Sequence, residues 1–226
     1  MLELIQPISK RDQVVQAVKE AILSGTIHPG ASIVETRIAQ QLGAGVPLVR
    51  EALIELEHQG FVQRTPYKST TVTKLNPVDI KRIFRLRVEL EALAIEWAKE
   101  HLTDADMEQL REIIRKMEVA AKAVDLTSFY EADLSFHRKI WTLSDNPYLA
   151  DALERVVVPL FAFFLMKTSR RRQSYVDSAC VHAEIIEALP IKSAAELREM
   201  FRLSLTGWKD EMMELLFAED EVRAKG

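Results

Sequence analysis

The chain is poor in the residues that hold small or irregular folds together. Among 226 residues there is one cysteine, Cys180, which excludes an internal disulfide and fits a reducing compartment. Seven glycines and eight prolines are too few for a turn-rich sandwich or a disordered chain, and they favour a mostly helical protein. Long apolar runs are missing too. The nearest, VVVPLFAFFLM at 156–166, is too short to span a bilayer, is interrupted by Pro159, and reads as a buried core helix. MLELIQPISK at the N-terminus lacks the basic-then-apolar pattern of a signal peptide, so a cytoplasmic location without membrane attachment is expected. Positive charge is also scarce. The net charge is −4; residues 1–75 hold eight Lys/Arg against seven Asp/Glu, and the remainder holds 22 against 27. Any affinity for nucleic acid must then rest on a few placed cations and on dimerisation. A hydrophobic content of 48% is ample for one large or two modest domains.

What is present centres on residues 38–62, IAQQLGAGVPLVREALIELEHQGFV. Ile38, Ala39 and Leu42 close one helix, and Gly43 stands where a positive φ costs least. Pro47 suits the first turn of a second helix, where its missing N–H has no intrahelical partner. Val49, Ala52, Leu53 and Leu56 recur at helical spacing on one face of it. Two helices across a tight glycine-bearing turn make a helix-turn-helix, whose second helix enters the DNA major groove. Upstream, Ser9 with Asp12 starts a helix over 9–23 lined by Val14, Val15, Val18 and Ile22, and HPG at 28–30 is a turn. The helix before Gly43 is expected over Ile33–Leu42, and the recognition helix over Pro47–His58. Residues 61–64 and 69–73 are β-rich and separated by Thr65-Pro66-Tyr67-Lys68, a short hairpin forming the wing of a winged helix.

Asn76-Pro77 marks a boundary between domains at 1–75 and 76–226. Beyond it the pattern is helical to the end. Pro77–Leu102 carries a stripe of Ile83, Leu86, Leu90, Leu93, Ala94 and Trp97; Thr103 caps a second helix with Met107, Leu110, Ile113, Ile114 and Met117. Further helices are expected over 127–143, after the Asn146-Pro147 cap, over 178–189, and after a Ser193/Glu196 capping box. Six helices with short links predict an antiparallel bundle. The cluster Phe161/Phe163/Phe164 is read as core or part of a dimer face, Cys180 as buried and inert, and Arg170-Arg171-Arg172 as a solvated loop. Asp133 and His137, at i and i+4, present a carboxylate and an imidazole on one helical face, a geometry able to chelate a metal.

AILSGTIHPG (21–30), IAQQLG (38–43), VREAL (49–53) and LEHQGFV (56–62) resemble the DNA-binding domain of the GntR family of bacterial winged-helix regulators. RVELEALAIEWA (87–98), ADLSFHRKIW (132–141), NPYL (146–149) and HAEIIEAL (182–189) are similar to the all-helical effector domain of its FadR-like subgroup, the FCD type. The resemblance implies a homodimer on a short palindromic double-stranded DNA operator, gated by a small carboxylate in the helical bundle. It assigns a DNA contact to Arg50, and Arg37, Arg64 and Lys68 are further candidates; the alternative for each is an ordinary solvated charge. Val-Ser-Arg-Thr-Pro is usual before VREAL, but Ala44-Gly45-Val46-Pro47-Leu48 stand here. Val46 and Pro47 thus occupy positions where the family places a base-reading arginine and a turn threonine, and the preferred sequence should change or relax. Ser69 replaces a wing glycine.

In the helical part, the resemblance assigns Asp133, His137 and His182 to a divalent metal such as Zn²⁺ or Ni²⁺. The usual third histidine is Ser204, a poorer ligand. Absent a metal, these residues would form a buried Asp–His cluster. Arg87, in the family's R-x-x-L-E pattern, is either a clamp for an organic acid or an internal salt bridge to Glu91 or Asp133. Tyr130 and Ser204 are candidate hydroxyls for a polar effector. Two readings of other classes compete: a helical metal-dependent enzyme using Asp133, His137 and His182, and a protein–protein module descended from a regulator.

Overall fold

A computed structural model describes residues 9–65, 69–169 and 175–224, with side chains omitted at 210, 211 and 214–224. It divides into two units, Met1–Lys74 and Leu75–Gly226.

In the first unit, α1 (Lys10–Leu23) begins where Asp12 N–H donates to Ser9 Oγ at 3.1 Å. The chain turns at His28–Ala31 and enters β1 (Ser32–Ile33), then α2 (Glu35–Leu42), α3 (Val46–His58), β2 (Val62–Arg64) and β3 (Thr70–Val72). The three strands form an antiparallel sheet in the order β1-β3-β2, with Ser32 opposite Thr71 and Val62 opposite Val72. The second helix therefore starts later than expected, at Glu35. Ser32 and Ile33 pair with the wing instead, and two residues are too few to show an alternating pattern in sequence. Gly43 takes φ 61° and its successor's N–H returns to Ala39 O at 2.9 Å, closing α2 in the left-handed cap that glycine permits. Val49, Ala52, Leu53 and Leu56 of α3 are fully buried against Val14, Val18 and Ile22 of α1, while Leu42 is left exposed. The N-cap of α3 is Gly45, with no side-chain hydrogen bond, so the hydroxyl cap missing from the sequence is missing from the helix as well.

The second unit holds α4 (Pro77–His101), α5 (Asp104–Ala123), α6 (Leu126–Leu143), α7 (Pro147–Thr168), α8 (Val176–Ala188) and α9 (Ala194–Ala224). Five of these starts are capped by side chains. Asn76, Asp125 and Asn146 accept from Asp79, Ser128 and Leu149 N–H, and Thr103/Asp106 and Ser193/Glu196 form reciprocal capping boxes. α7 is apolar nearly all round; Val157, Val158 and the run 160–165 are buried against α4, α6 and α9. The helix runs through Pro159 without stopping, as the buried core helix expected, and the three phenylalanines are core. Among the described residues no helix is long and apolar enough to cross a membrane. α4 and α9 run antiparallel, because Glu89 pairs with Arg202 while Glu96, further along α4, pairs with Arg198, earlier in α9.

The stripe expected on α4 is rotated. Ile80, Phe84, Arg87, Glu91, Ala94, Ile95 and Ala98 are buried, and Leu86 is 52% exposed. Two charged residues sit on the inward face because they pair with each other and take further hydrogen bonds from His137 and Trp141 of α6. Cys180, expected inside, is exposed: Ala179, His182, Ile185 and Ile186 turn inward, and Cys180 shares the outer face with Glu184 and Glu187.

Candidate functional site

On the helix-turn-helix, Pro47 and Arg50 are exposed and Val46 is half-buried at the first position of α3. Arg50 is oriented by α2: its Nε and Nη2 donate to Glu35 Oε2 at 3.1 and 2.8 Å. Arg37 is exposed on α2. Arg64, on the wing strand, is half-buried, and its Nη1 lies 3.8 Å from Glu57 Oε2. Lys68 and Arg170–Arg172 fall outside the described residues.

In the helical unit the pair Arg87–Glu91, one turn apart on α4, meets Asp133 and His137 of α6 and His182 of α8. All five are at least nine-tenths buried. Arg87 Nε donates to Glu91 Oε1 at 2.5 Å, and Arg87 Nη2 lies 3.1 Å from His137 Nε2. Glu91 Oε2 also accepts from Trp141 Nε1 at 3.3 Å and contacts His137 Nδ1. The salt-bridge alternative for Arg87 is therefore realised with Glu91. His182 Nδ1 is 2.7 Å from Ser178 O, a carbonyl that only accepts, so Nδ1 carries the proton and Nε2 turns to Asp133 Oδ1 at 3.0 Å. His137 repeats the arrangement: Nδ1 donates to the Glu91 carboxylate, and Nε2 lies 3.4 Å from Asp133 Oδ1.

Two lone-pair-bearing nitrogens and a carboxylate oxygen thus converge, the donor atoms of Asp133, His137 and His182 lying within 4.8 Å of one another. Asp133 Oδ1 accepts no well-aligned hydrogen bond. Between Asp133 Oδ1 and His182 Nε2 acceptor faces acceptor, which requires a proton or a cation between them, while His137 Nε2 also takes the Arg87 Nη2 proton. Each imidazole is oriented by an outer acceptor, as metal-binding histidines are. The donor set fits a divalent metal. Ser204 also lines the site, with its hydroxyl donating to Phe201 O at 2.9 Å, so only lone-pair capacity remains. Tyr130 does not line it. Its hydroxyl donates to Tyr175 at 3.2 Å and lies 3.3 Å from Thr168 Oγ1, which removes it from the expected effector contacts.

These charges shift one another. Burial opposes ionising Glu91, but His137 and Arg87 outweigh it and hold the carboxyl at about 2. Asp133 is likewise held well below the usual range, with His182 and His137 overcoming burial. Burial also opposes charging His137, yet Glu91 and Asp133 raise it above its ordinary value. A depressed carboxyl contributes stability that is complete above its unfolded value, about 4, and is lost as pH falls toward the folded value. A raised histidine contributes stability that is complete below about 6.5 and is lost as pH rises through the folded value. Chelator-treated protein is expected to melt highest between about pH 4.5 and 6.5 and progressively lower on both sides. Thermal melts at constant ionic strength test this, and a Tm flat from pH 3 to 8 contradicts it.

Above this floor lies a cavity of about 430 Å³ between α4, α6, α8 and α9. Phe201, Trp208, Val181 and Ile185 supply apolar wall, and Asp177 stands at the exposed rim. Sequence reading missed Trp208 and the Ser178 carbonyl. The i+4 spacing to His182 and the helical step from Ser204 to Trp208 were the available signals.

Residues 10–72 match the family described as bacterial regulatory proteins, gntR family, and residues 82–206 match the FCD domain. The chain belongs to the GntR family, with an FCD domain. It is 30% identical over 146 residues to the HTH-type transcriptional regulator McbR of Escherichia coli (strain K12), across 65% of this chain and 66% of that one. The uncharacterized HTH-type transcriptional regulator YdhC of Bacillus subtilis is 30% identical over 148 residues, across 64% and 65%. The matched stretch thus spans just under two thirds of these relatives. The solved structure of E. coli McbR/YncC superposes with a TM-score of 0.69 at 24% identity, covering 94% of this chain and 99% of that one. A GntR regulator structure from Rhodococcus gives 0.67 at 20%, covering 91% and 98%. At these identities the structures establish the GntR–FCD fold, a winged helix followed by a helical unit. The relatives are transcriptional regulators, not enzymes, which removes support for the enzyme reading.

Proposed function

We propose that this protein is a ligand-responsive, DNA-binding transcriptional regulator. A homodimer would set two α3 helices in successive major grooves of a short palindrome, with Arg50 and Arg37 reaching DNA from the helices and Arg64 and Lys68 from the wing. Val46 and Pro47 would meet base edges without an arginine's bidentate readout. The helical unit would receive a small carboxylate against Arg87, and an effector that binds two arrangements of the dimer unequally would shift the balance between them. A divalent cation such as Zn²⁺ or Ni²⁺ would be held by Asp133, His137 and His182, and would supply positive charge for an anionic effector. It would act in the cytoplasm, where a bacterial operator lies. The observation that carries the reading is one chain joining a winged helix, with an oriented arginine on its recognition helix, to a helical unit with a charged buried cavity.

Binding of the purified protein to the DNA upstream of its own gene, across a salt series, tests this. Steep salt dependence and preference over random DNA are expected. Arg50→Ala should weaken binding about tenfold or more, and should lower the salt slope by about 1 where the arginine meets a phosphate. Salt-independent, sequence-blind binding that ignores Arg50→Ala would instead favour the protein–protein module.

A further inference from the structure

The cavity restricts which acid it can take, and this rests on its reading as an effector site. We infer that its ligand is a monocarboxylate with an apolar, ring-sized body, rather than a di- or tricarboxylate or a sugar acid. Arg87 is 1% exposed and lines the cavity. Its Nε is bonded to Glu91 and its Nη2 faces His137, but its Nη1, equally buried, has no hydrogen-bond partner among the described residues. A buried donor on a guanidinium calls for an acceptor, and a charge-assisted bond to a carboxylate is the strongest available.

One carboxylate satisfies this site and a second does not. No other lysine or arginine lines the cavity among the described residues, whereas Asp133 lies in the floor and Asp177 at the rim. With neutral imidazoles, Arg87, Glu91 and Asp133 sum to one negative charge. A divalent cation among Asp133, His137 and His182 makes this one positive, which a single carboxylate cancels. A second anionic group would be buried without compensation, which is expensive.

The remaining wall accepts apolar surface. Val181, Ile185, Phe201, Leu205, Trp208 and Met212 line it, and Trp208 packs its indole 5.6 Å from the Arg87 guanidinium. Two of the polar groups on the wall are already engaged within the protein. The Ser204 hydroxyl bonds Phe201 O, and the Ser178 carbonyl accepts from His182. The volume of about 430 Å³ lies within the range of small-ligand cavities and has room for a ring-bearing body.

The test is calorimetric titration of the full chain, both chelator-treated and Zn²⁺-loaded, with phenylacetate, phenylacetamide, citrate and gluconate. Tryptophan emission is followed in parallel. Phenylacetate is expected to bind at least tenfold tighter than the other three and to change the emission of the wild-type protein but not of Trp208→Phe. Ser204→Leu fills the cavity, and the serine hydroxyl it removes bonds only within its own helix. This variant should keep its Tm and lose phenylacetate at least tenfold. Tighter binding of citrate or gluconate, or phenylacetate binding indifferent to Ser204→Leu, overturns the ligand class while the effector site stands. Failure of every probe to bind in either metal state overturns the effector reading, and the ligand class with it.

Discussion

Glu91→Ala is expected to destabilise the helical unit by about 3–5 kcal/mol, a large fraction of the about 5–15 kcal/mol that holds a domain folded. The carboxylate is completely buried and is the counterion of Arg87, the hydrogen-bond acceptor for Trp141 and the orienting partner of His137. Its removal leaves a guanidinium that is 1% exposed without an anion, inside an aromatic wall of Phe84, Phe161 and Trp208. The double variant Glu91→Leu/Arg87→Met removes the charge together with its partner and should recover most of the loss, because a buried pair is costly to break but not to replace. Urea unfolding of the three proteins measures this. A single variant within about 1 kcal/mol of wild type would mean that water reaches Arg87 and that the pair is not buried in solution.

The second large effect concerns the donor set. Asp133→Asn is nearly isosteric but removes the charge on which both imidazoles converge. Loss of an outer partner of a metal ligand costs about 10–100-fold in affinity, and loss of the carboxylate ligand itself should cost at least the upper end of that range. Ser204→His runs in the opposite direction. It adds an imidazole beside the cavity, and should tighten Zn²⁺ or Ni²⁺ at least tenfold if the site binds metal with three protein ligands. Competition with a chromophoric chelator reads both constants. Identical affinities across wild type, Asp133→Asn and Ser204→His would place any bound metal elsewhere and leave the cluster a hydrogen-bonded one.

Much of the architecture was legible because its signals are local. Asn76-Pro77, Thr103, Asn146-Pro147 and Ser193/Glu196 each satisfy orphan helix N–H groups within three residues, so four of the six helix starts could be placed from their caps. Gly43 marked the end of α2 because a positive φ disfavours a side chain there. The short strand β1 escaped notice, since Ser32 and Ile33 are a strand only by virtue of Thr70 and Thr71, nearly forty residues away. Asp133 and His137 share a face by helical spacing alone, whereas their meeting with His182 depends on how α8 packs.

The sequence alone determined the order and type of the elements, and the helix-turn-helix with its bare N-cap. Capping, glycine conformation and periodicity act over a few residues and need no distant partner. Only the tertiary structure decided which face of α4 turns inward, that Tyr130 is occupied by Tyr175 and Thr168, and that Arg87 keeps one buried donor without a partner among the described residues. A charged residue can be buried only where an opposite charge meets it. For Arg87 and Glu91, half of that environment lies on α6, some fifty residues along the chain, beyond the reach of any local pattern.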